Sequence, residues 1–210
     1  MKHWLKISLI LILLPFRVFP FDGFEGKIKI VKESLYDTVQ IEISIKGDIV
    51  RIDEINTQNV VFRSYLVNLI GEKVYVLSPN KKLYTEIVIN ATPSKSSVEF
   101  IKTQNSMEVN GVLCYQWRVR DKSRNSEVTY WVAPQDLGFM KSLVSIISRS
   151  ETPLTILGLF PPVNGYIPLL SVDRTLLRKV KESVKVIDIK PAKLPANLFV
   201  IPPDFRELLG

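Results

Sequence analysis

The stretch VQIEISIKGDIVRID (Val39–Asp53) decides the fold. Val39, Ile41, Ile43 and Ile45 alternate with Gln40, Glu42, Ser44 and Lys46, the period of two that turns successive side chains to opposite faces of a strand. Gly47-Asp48 interrupts the alternation as a short turn signal, and Val50 and Ile52 resume it beside Arg51 and Asp53. The reading is a β-hairpin with one face buried and the other wet.

The same period extends in both directions. Upstream, Phe24, Ile28 and Ile30 share a face opposite Glu25, Lys27 and Lys29. Downstream, Tyr65–Leu69 and Val74–Leu77 flank a turn at Gly71-Glu72, and Leu83–Ile89 continues in extended form after Pro79-Asn80. Leu113, Tyr115, Trp117 and Val119 form another apolar stripe, with Cys114, Gln116, Arg118 and Arg120 opposite. Tyr130 and Val132 flank Trp131 in the next strand, and Val184–Ile189 is a further one. Leu176–Glu182 fits a helix about as well as a strand. Asp53 and Glu54, the adjacent acidic pair, point to opposite faces if they lie in a strand.

One segment departs from the β pattern. Met140, Leu143, Val144 and Ile147 stand at helical spacing, which predicts a short amphipathic helix opening near Asp136. The stretch that follows, 152–170, is apolar but irregular and broken by Pro153, Pro161, Pro162, Gly165 and Pro168. A long apolar loop is unusual, because loops run over polar surface. It either plugs the mouth of a curved sheet or forms a lid over an apolar cavity or membrane surface. The candidate ligand-contacting residues are therefore Phe139, Met140, Leu143, Ile147, Leu157, Leu159 and Phe160, with Trp117 and Trp131 on the sheet.

The chain begins with a secretory pattern. Lys2 and Lys6 precede an apolar run, Ile7–Leu14, which Pro15 breaks. The run is shorter than the roughly 20 residues a membrane span needs, and it has no polar face, which argues against a buried N-terminal helix of the domain. Residues 1–21 are read as a signal peptide and 22–210 as one β-rich domain. The predicted destination is outside the cytoplasm, in the periplasm or cell envelope. Of the net charge of +7, three positive charges (Lys2, Lys6, Arg17) lie in the leader, leaving +4 spread along the remainder. That distribution describes a solvated surface and not a nucleic-acid footprint.

The chemistry is quiet. His3, the only histidine, lies in the leader, and Cys114 is the only cysteine. The mature chain thus offers no Cys/His metal site and no histidine-based acid–base catalysis. It shows no P-loop, dinucleotide fingerprint or nucleophile elbow, so no cofactor is expected. Asn90-Ala91-Thr92 matches a glycosylation acceptor in form only.

Several stretches carry a resemblance: GFEGKIKIV (Gly23–Val31), ISIKGDIVRID (Ile43–Asp53), VNLIGEKVYVLSPNKKLYTEI (Val67–Ile87), MEVNGVLCYQWRV (Met107–Val119), VTYWVAPQDLGF (Val128–Phe139) and LPANLFVIPPDFREL (Leu194–Leu208). Together they resemble an uncharacterised family of secreted bacterial envelope proteins and, more distantly, the LolA/LolB-like lipoprotein carriers. The resemblance implies a mainly β (α+β) fold: a strongly curved antiparallel sheet forming an incomplete barrel, with one or more short helices across its concave face. It further implies a non-enzymatic protein whose concavity takes an apolar ligand, an acyl chain or a lipoprotein. The lipid-anchoring cysteine of the anchored members is missing after the leader. Two alternatives stand beside this: a structural or protein-interaction module with a filled core, and an enzyme built on converging carboxylates with displaced pKa values. Mass measurement of the exported N-terminus tests the leader. Cleavage between Pro15 and Gly23 is expected, and an intact Met1 would contradict it.

Overall fold

A computed structural model of the chain describes residues 23–90 and 98–208. The leader lies outside them, as do two residues of the Asn90 acceptor motif. The described strands are β1 (Gly26–Ser34), β2 (Thr38–Lys46), β3 (Ile49–Ile55), β4 (Val61–Asn68), β5 (Lys73–Ser78), β6 (Leu83–Ile87), β7 (Val98–Val109), β8 (Val112–Asp121), β9 (Ser126–Ala133), β10 (Ile167–Arg174), β11 (Val180–Pro191) and β12 (Arg206–Glu207). One helix, α1 (Met140–Ile147), interrupts them. All twelve strands belong to one sheet in the order β12-β6-β5-β4-β3-β2-β1-β11-β10-β9-β8-β7. Every pairing is antiparallel except the short β12–β6 contact.

That order requires the sheet to curl. β6 and β7 follow one another in the chain yet lie at opposite ends of the sheet, ten strand spacings apart. Laid flat, those spacings would separate them by about 48 Å. The eleven residue steps from Ile87 to Val98 reach at most about 38 Å. The sheet therefore bends into an incomplete barrel, and three of its five register shifts among the described residues lie in β7 and beside an open cleft. β11 bulges at Ile187 opposite Lys29/Ile30, β10 bulges at Leu169, and β7 slips between Lys102 and Ser106. Bulges of this kind sharpen twist and bend.

The alternating stripes face inward as read. Ile28 and Ile30 of β1 pair with Ile43 and Ile41 of β2, and β3 adds Val50 and Ile52. Tyr65, Val67 and Val74 continue the row, and all are buried. Along the other half, Val184, Tyr130, Trp117 and Val119 line the same face. The stripe of β8 fails near its start. Leu113 and Tyr115 are 50% and 40% exposed, whereas Cys114 is fully buried. Tyr115 is the last β8 residue paired with β9, so beyond it the β7–β8 hairpin is a free two-stranded ribbon. Its tip reaches back over the sheet, where Asn110 Nδ2 donates to the Val186 carbonyl at 2.6 Å, beside the β11 bulge. Leu176–Glu182 resolves as a turn followed by the first residues of β11.

Among the described residues, two long pieces leave the sheet. The first, after β9, enters the concavity. α1 crosses one end of it, tied to the β4–β5 turn by Arg149 Nη2 and Glu72 Oε1 at 2.8 Å. A 3₁₀ segment, Thr155–Leu159, then runs deeper, where Tyr130 Oη donates to the Ile156 carbonyl at 2.6 Å. The second is the C-terminal tail, which straps the convex face of β3–β5. Arg51 holds Asp53 at 2.9 Å, Ser64 Oγ at 3.0 Å and the Leu198 carbonyl at 3.1 Å. Leu194 and Phe199 of the tail are buried, as are Leu66 and Leu77 on the convex face of β4 and β5. β12 then lies beside β6, which covers that edge strand.

Glu25 fastens the strap. Its carboxylate accepts from the Leu194 N–H at 2.7 Å and from Lys193 Nζ and Lys46 Nζ at 3.1 and 3.2 Å. Those donors, the backbone bond foremost, hold its pKa down at about 2, against an ordinary 4.5. Because the folded value lies below the unfolded one, this contribution is complete above about pH 4.5 and is lost as pH falls toward 2. Glu25→Gln should therefore destabilise the protein at neutral pH and narrow its gap to the wild type on acidification through that window. Urea midpoints measured at stepped pH check this; a gap that stays constant would contradict it.

Candidate functional site

The structure brings eight of the nine predicted residues into one place. Phe139, Met140, Leu143, Ile147, Leu157 and Phe160 are buried in the main core, with Leu159 packed against it at partial burial. Trp117 receives them from the sheet side. Its ring stacks on Phe160 at 5.8 Å and 11°, meets Tyr166 at 4.7 Å and takes Phe100 edge-on at 5.6 Å. Tyr130 adds an edge contact to Phe160 at 5.1 Å. These are the offset and perpendicular contacts by which aromatic rings fill a core. The segment is a plug, not a roof: the side chains that would line a space beneath a lid are themselves in contact with the sheet.

Trp131 is the exception. It follows Tyr130 in β9 and so points to the convex face, where it is half-buried in a groove with Arg118, Thr129 and Arg174. It lines that groove while its buried part packs against the same core, as Leu159 does.

At the end of the sheet that α1 crosses, beside the start of the plug, an open cleft of about 910 Å³ remains. Its walls are Phe24, Leu137, Leu169, Val186, Ile187 and Ile189, with Glu25, Asn110, Gln135 and Asp136 among its polar groups. The bulges at Leu169 and Ile187 shape it, because each sets an apolar residue out of the regular ladder. Phe24 closes one side against Phe139, with centroids 6.1 Å apart. Gly138 turns the chain into the helix at φ +74°, and its N–H donates to Asp136 Oδ1 at 2.8 Å. An apolar cleft of this size with a few polar groups has the character of a small-molecule site. None of its bulge residues was singled out in the sequence. Ile187 reads there as one more strand residue, and only pairing reveals that it stands out of register.

The other end of the concavity is polar. Glu54 on β3 faces Arg63 Nη1 at 3.3 Å, and Lys32 bridges Glu182 at 3.0 Å and the Pro153 carbonyl at 2.9 Å. Burial raises the Glu54 pKa, opposed by Arg63 and Lys32. Burial likewise raises Asp173, which accepts from Ser126 Oγ and lies 3.8 Å from Lys181. Each displaced carboxylate thus has its own cation. Cys114 is sealed in the core, and burial pushes its thiol up. Asp53 points the opposite way to Glu54, into the strap on the convex face.

An incomplete antiparallel barrel, filled by its own helix and apolar loop, defines the class of fold. The chain belongs to the family described as a domain of unknown function, DUF4412, whose model matches residues 24–205. No curated protein matches it. Among solved structures it is similar to an uncharacterised conserved protein from Thermus thermophilus, at 9% identity over 89% of this chain and 90% of that one, with a TM-score of 0.57. It is also similar to PNGF-II at 15% identity, over 87% of this chain but 30% of that one, with a TM-score of 0.49. A domain from Vibrio parahaemolyticus described as an outer membrane lipoprotein-sorting protein domain aligns at 11% identity, over 83% of this chain and 87% of that one, with a TM-score of 0.35. The first likeness establishes the fold. The other two are too remote to bear on function.

Proposed function

We propose that this is a non-enzymatic protein of the cell envelope that binds an apolar ligand, an acyl chain or the lipid portion of a lipoprotein. The observation that carries the reading is the apolar cleft at the bulged end of the sheet, about 910 Å³ and open beside the first residues of the plug. The ligand enters that cleft and not the main concavity, whose volume the protein's own residues occupy. Phe24, Leu169, Val186 and Ile189 offer it an apolar wall, and Gln135 and Asp136 stand where a polar head would meet water. Export follows from the leader, and no cofactor or nucleic acid enters the account.

The second reading is a structural or interaction module of the envelope. The filled concavity favours it, since a packed interior needs no ligand to complete it.

Binding of a fluorescent long-chain fatty acid separates the two. The carrier reading predicts saturable binding that Ile187→Asp weakens roughly tenfold, because that half-exposed residue gives the acyl chain part of its apolar contact. Thermal stability should hardly change, since Ile187 is already half in water. Absence of saturable binding would leave the module as the function, and binding indifferent to Ile187→Asp would place the ligand elsewhere.

A further inference from the structure

The sheet end opposite the apolar cleft carries a second surface. Three hairpin turns stand there in a row: β8–β9 (122–125), β10–β11 (175–179) and β1–β2 (35–37). β9 pairs with β10 and β11 with β1, so their turns are neighbours. The first two are joined directly. Leu176 N–H donates to Asn125 Oδ1 at 3.2 Å, and Lys181 Nζ donates to the Arg124 carbonyl at 3.3 Å.

Two of these turns are closed by hydrogen bonds yet hold large apolar side chains in water. Thr175 and Lys179 close the β10–β11 turn through three hydrogen bonds of 2.8 to 3.1 Å that involve Thr175 and residues 178 and 179. Leu177 at its tip is 91% exposed. Ser34 and Asp37 close the β1–β2 turn at 2.8 Å, and Tyr36 there is 96% exposed beside a half-exposed Leu35. Single exposed leucines need no explanation, but a row of apolar tips is the mark of an interaction site.

The charge on the β8–β9 and β10–β11 turns has one sign, whereas the β1–β2 turn carries Asp37, with Glu33 just before it. Residues 122–125 and 174–181 contain Lys122, Arg124, Arg174, Arg178, Lys179 and Lys181 and no acidic residue. Arg174, Arg178 and Lys122 also line a groove of about 520 Å³ that runs from the turns down the convex face. Arg118, Arg120, Thr129 and Trp131 complete it. Its one carboxylate, Glu127, is already paired with Arg120 at 2.8 Å and Arg118 at 3.5 Å. Five cations against one carboxylate leave the groove suited to anionic groups, phosphate above all.

We infer that this end of the sheet docks on an anionic phospholipid surface. Leu177, Tyr36 and Leu35 enter the interface, the cations of the turns lie along the lipid phosphates, and the groove receives one headgroup over Trp131. Leu177 set among cations, with the exposed Tyr36 and Leu35 on the turn of the neighbouring hairpin, matches the two-part chemistry of a bilayer surface, apolar below and negative at the phosphates. A soluble anion would account for the groove but not for the tips. No helix among the described residues is long and apolar enough to cross a membrane. This surface is separate from the cleft, and either can fail without the other.

The test is co-sedimentation of the purified protein with phosphatidylcholine vesicles and with vesicles that also contain phosphatidylglycerol. Binding should rise with phosphatidylglycerol and fall with added salt. Removing two groove cations in Lys122→Gln/Arg178→Asn should weaken it about twenty-fivefold, at roughly fivefold per charge. Tyr36→Ser/Leu177→Ser should weaken it at least about tenfold. Both double variants should keep the wild-type thermal midpoint, because all four side chains are exposed. Equal binding to both vesicle types, or wild-type binding by both variants, overturns the proposal. So does binding of inorganic triphosphate without any preference for anionic vesicles, which would make the groove a site for a soluble anion.

Discussion

A curled sheet with one apolar face cannot leave that face wet, and the fold is organised around this constraint. The inner stripes of β1–β5 and β8–β11 present a continuous wall of isoleucine, valine and aromatic side chains. An incomplete barrel has no second sheet to cover them, so the chain covers them with itself. Trp117 against Phe160, Tyr130 against the Ile156 carbonyl, and the buried face of α1 are the points at which this closure is made. The Pro-rich, apolar character of the segment after the helix then has a physical reason. It is interior, and its prolines and 3₁₀ turn set its path where no ladder of backbone bonds is available.

Closure by an internal plug also decides where function can reside. The concavity is occupied by the protein's own residues, which leaves the two ends of the sheet and part of its convex side as open surfaces. One end is an apolar cleft shaped by bulges, and the other carries the basic turns 122–125 and 175–179 and the apolar tips Tyr36 and Leu177. The strap commits part of the convex face over β3–β5 and leaves the face over β8–β10 open.

The sheet was largely legible in the sequence because its outer face is wet, which makes the period of two visible from Gly23 onward. The helix was legible for the same reason, through Met140, Leu143, Val144 and Ile147. What stayed hidden depends on contacts remote in sequence. The tail has no periodicity, and only packing shows Leu194 and Phe199 buried on the convex face. Leu113 and Tyr115 continue an apolar stripe on paper, but Tyr115 is at the margin of the pairing with β9 and Leu113 lies beyond it. Trp131 resembles Trp117 in composition and differs only in parity, which sends it to the groove. The cleft could not be read at all, because its shape comes from bulges at Leu169 and Ile187 that the alternation does not announce.

The central claim is that residues 139–160 are core and not a movable lid. Hydrogen exchange on the native protein tests it directly, through the Leu143 amide, which donates to Phe139, and the Leu157 amide, which donates to Leu154. The account predicts that Leu143 exchanges only by global unfolding, with the protection of the Ile43 strand, and that Leu157 approaches it. Exchange of both at low opening free energy, while β1 and β2 remain protected, would show a segment that lifts away and would contradict the account.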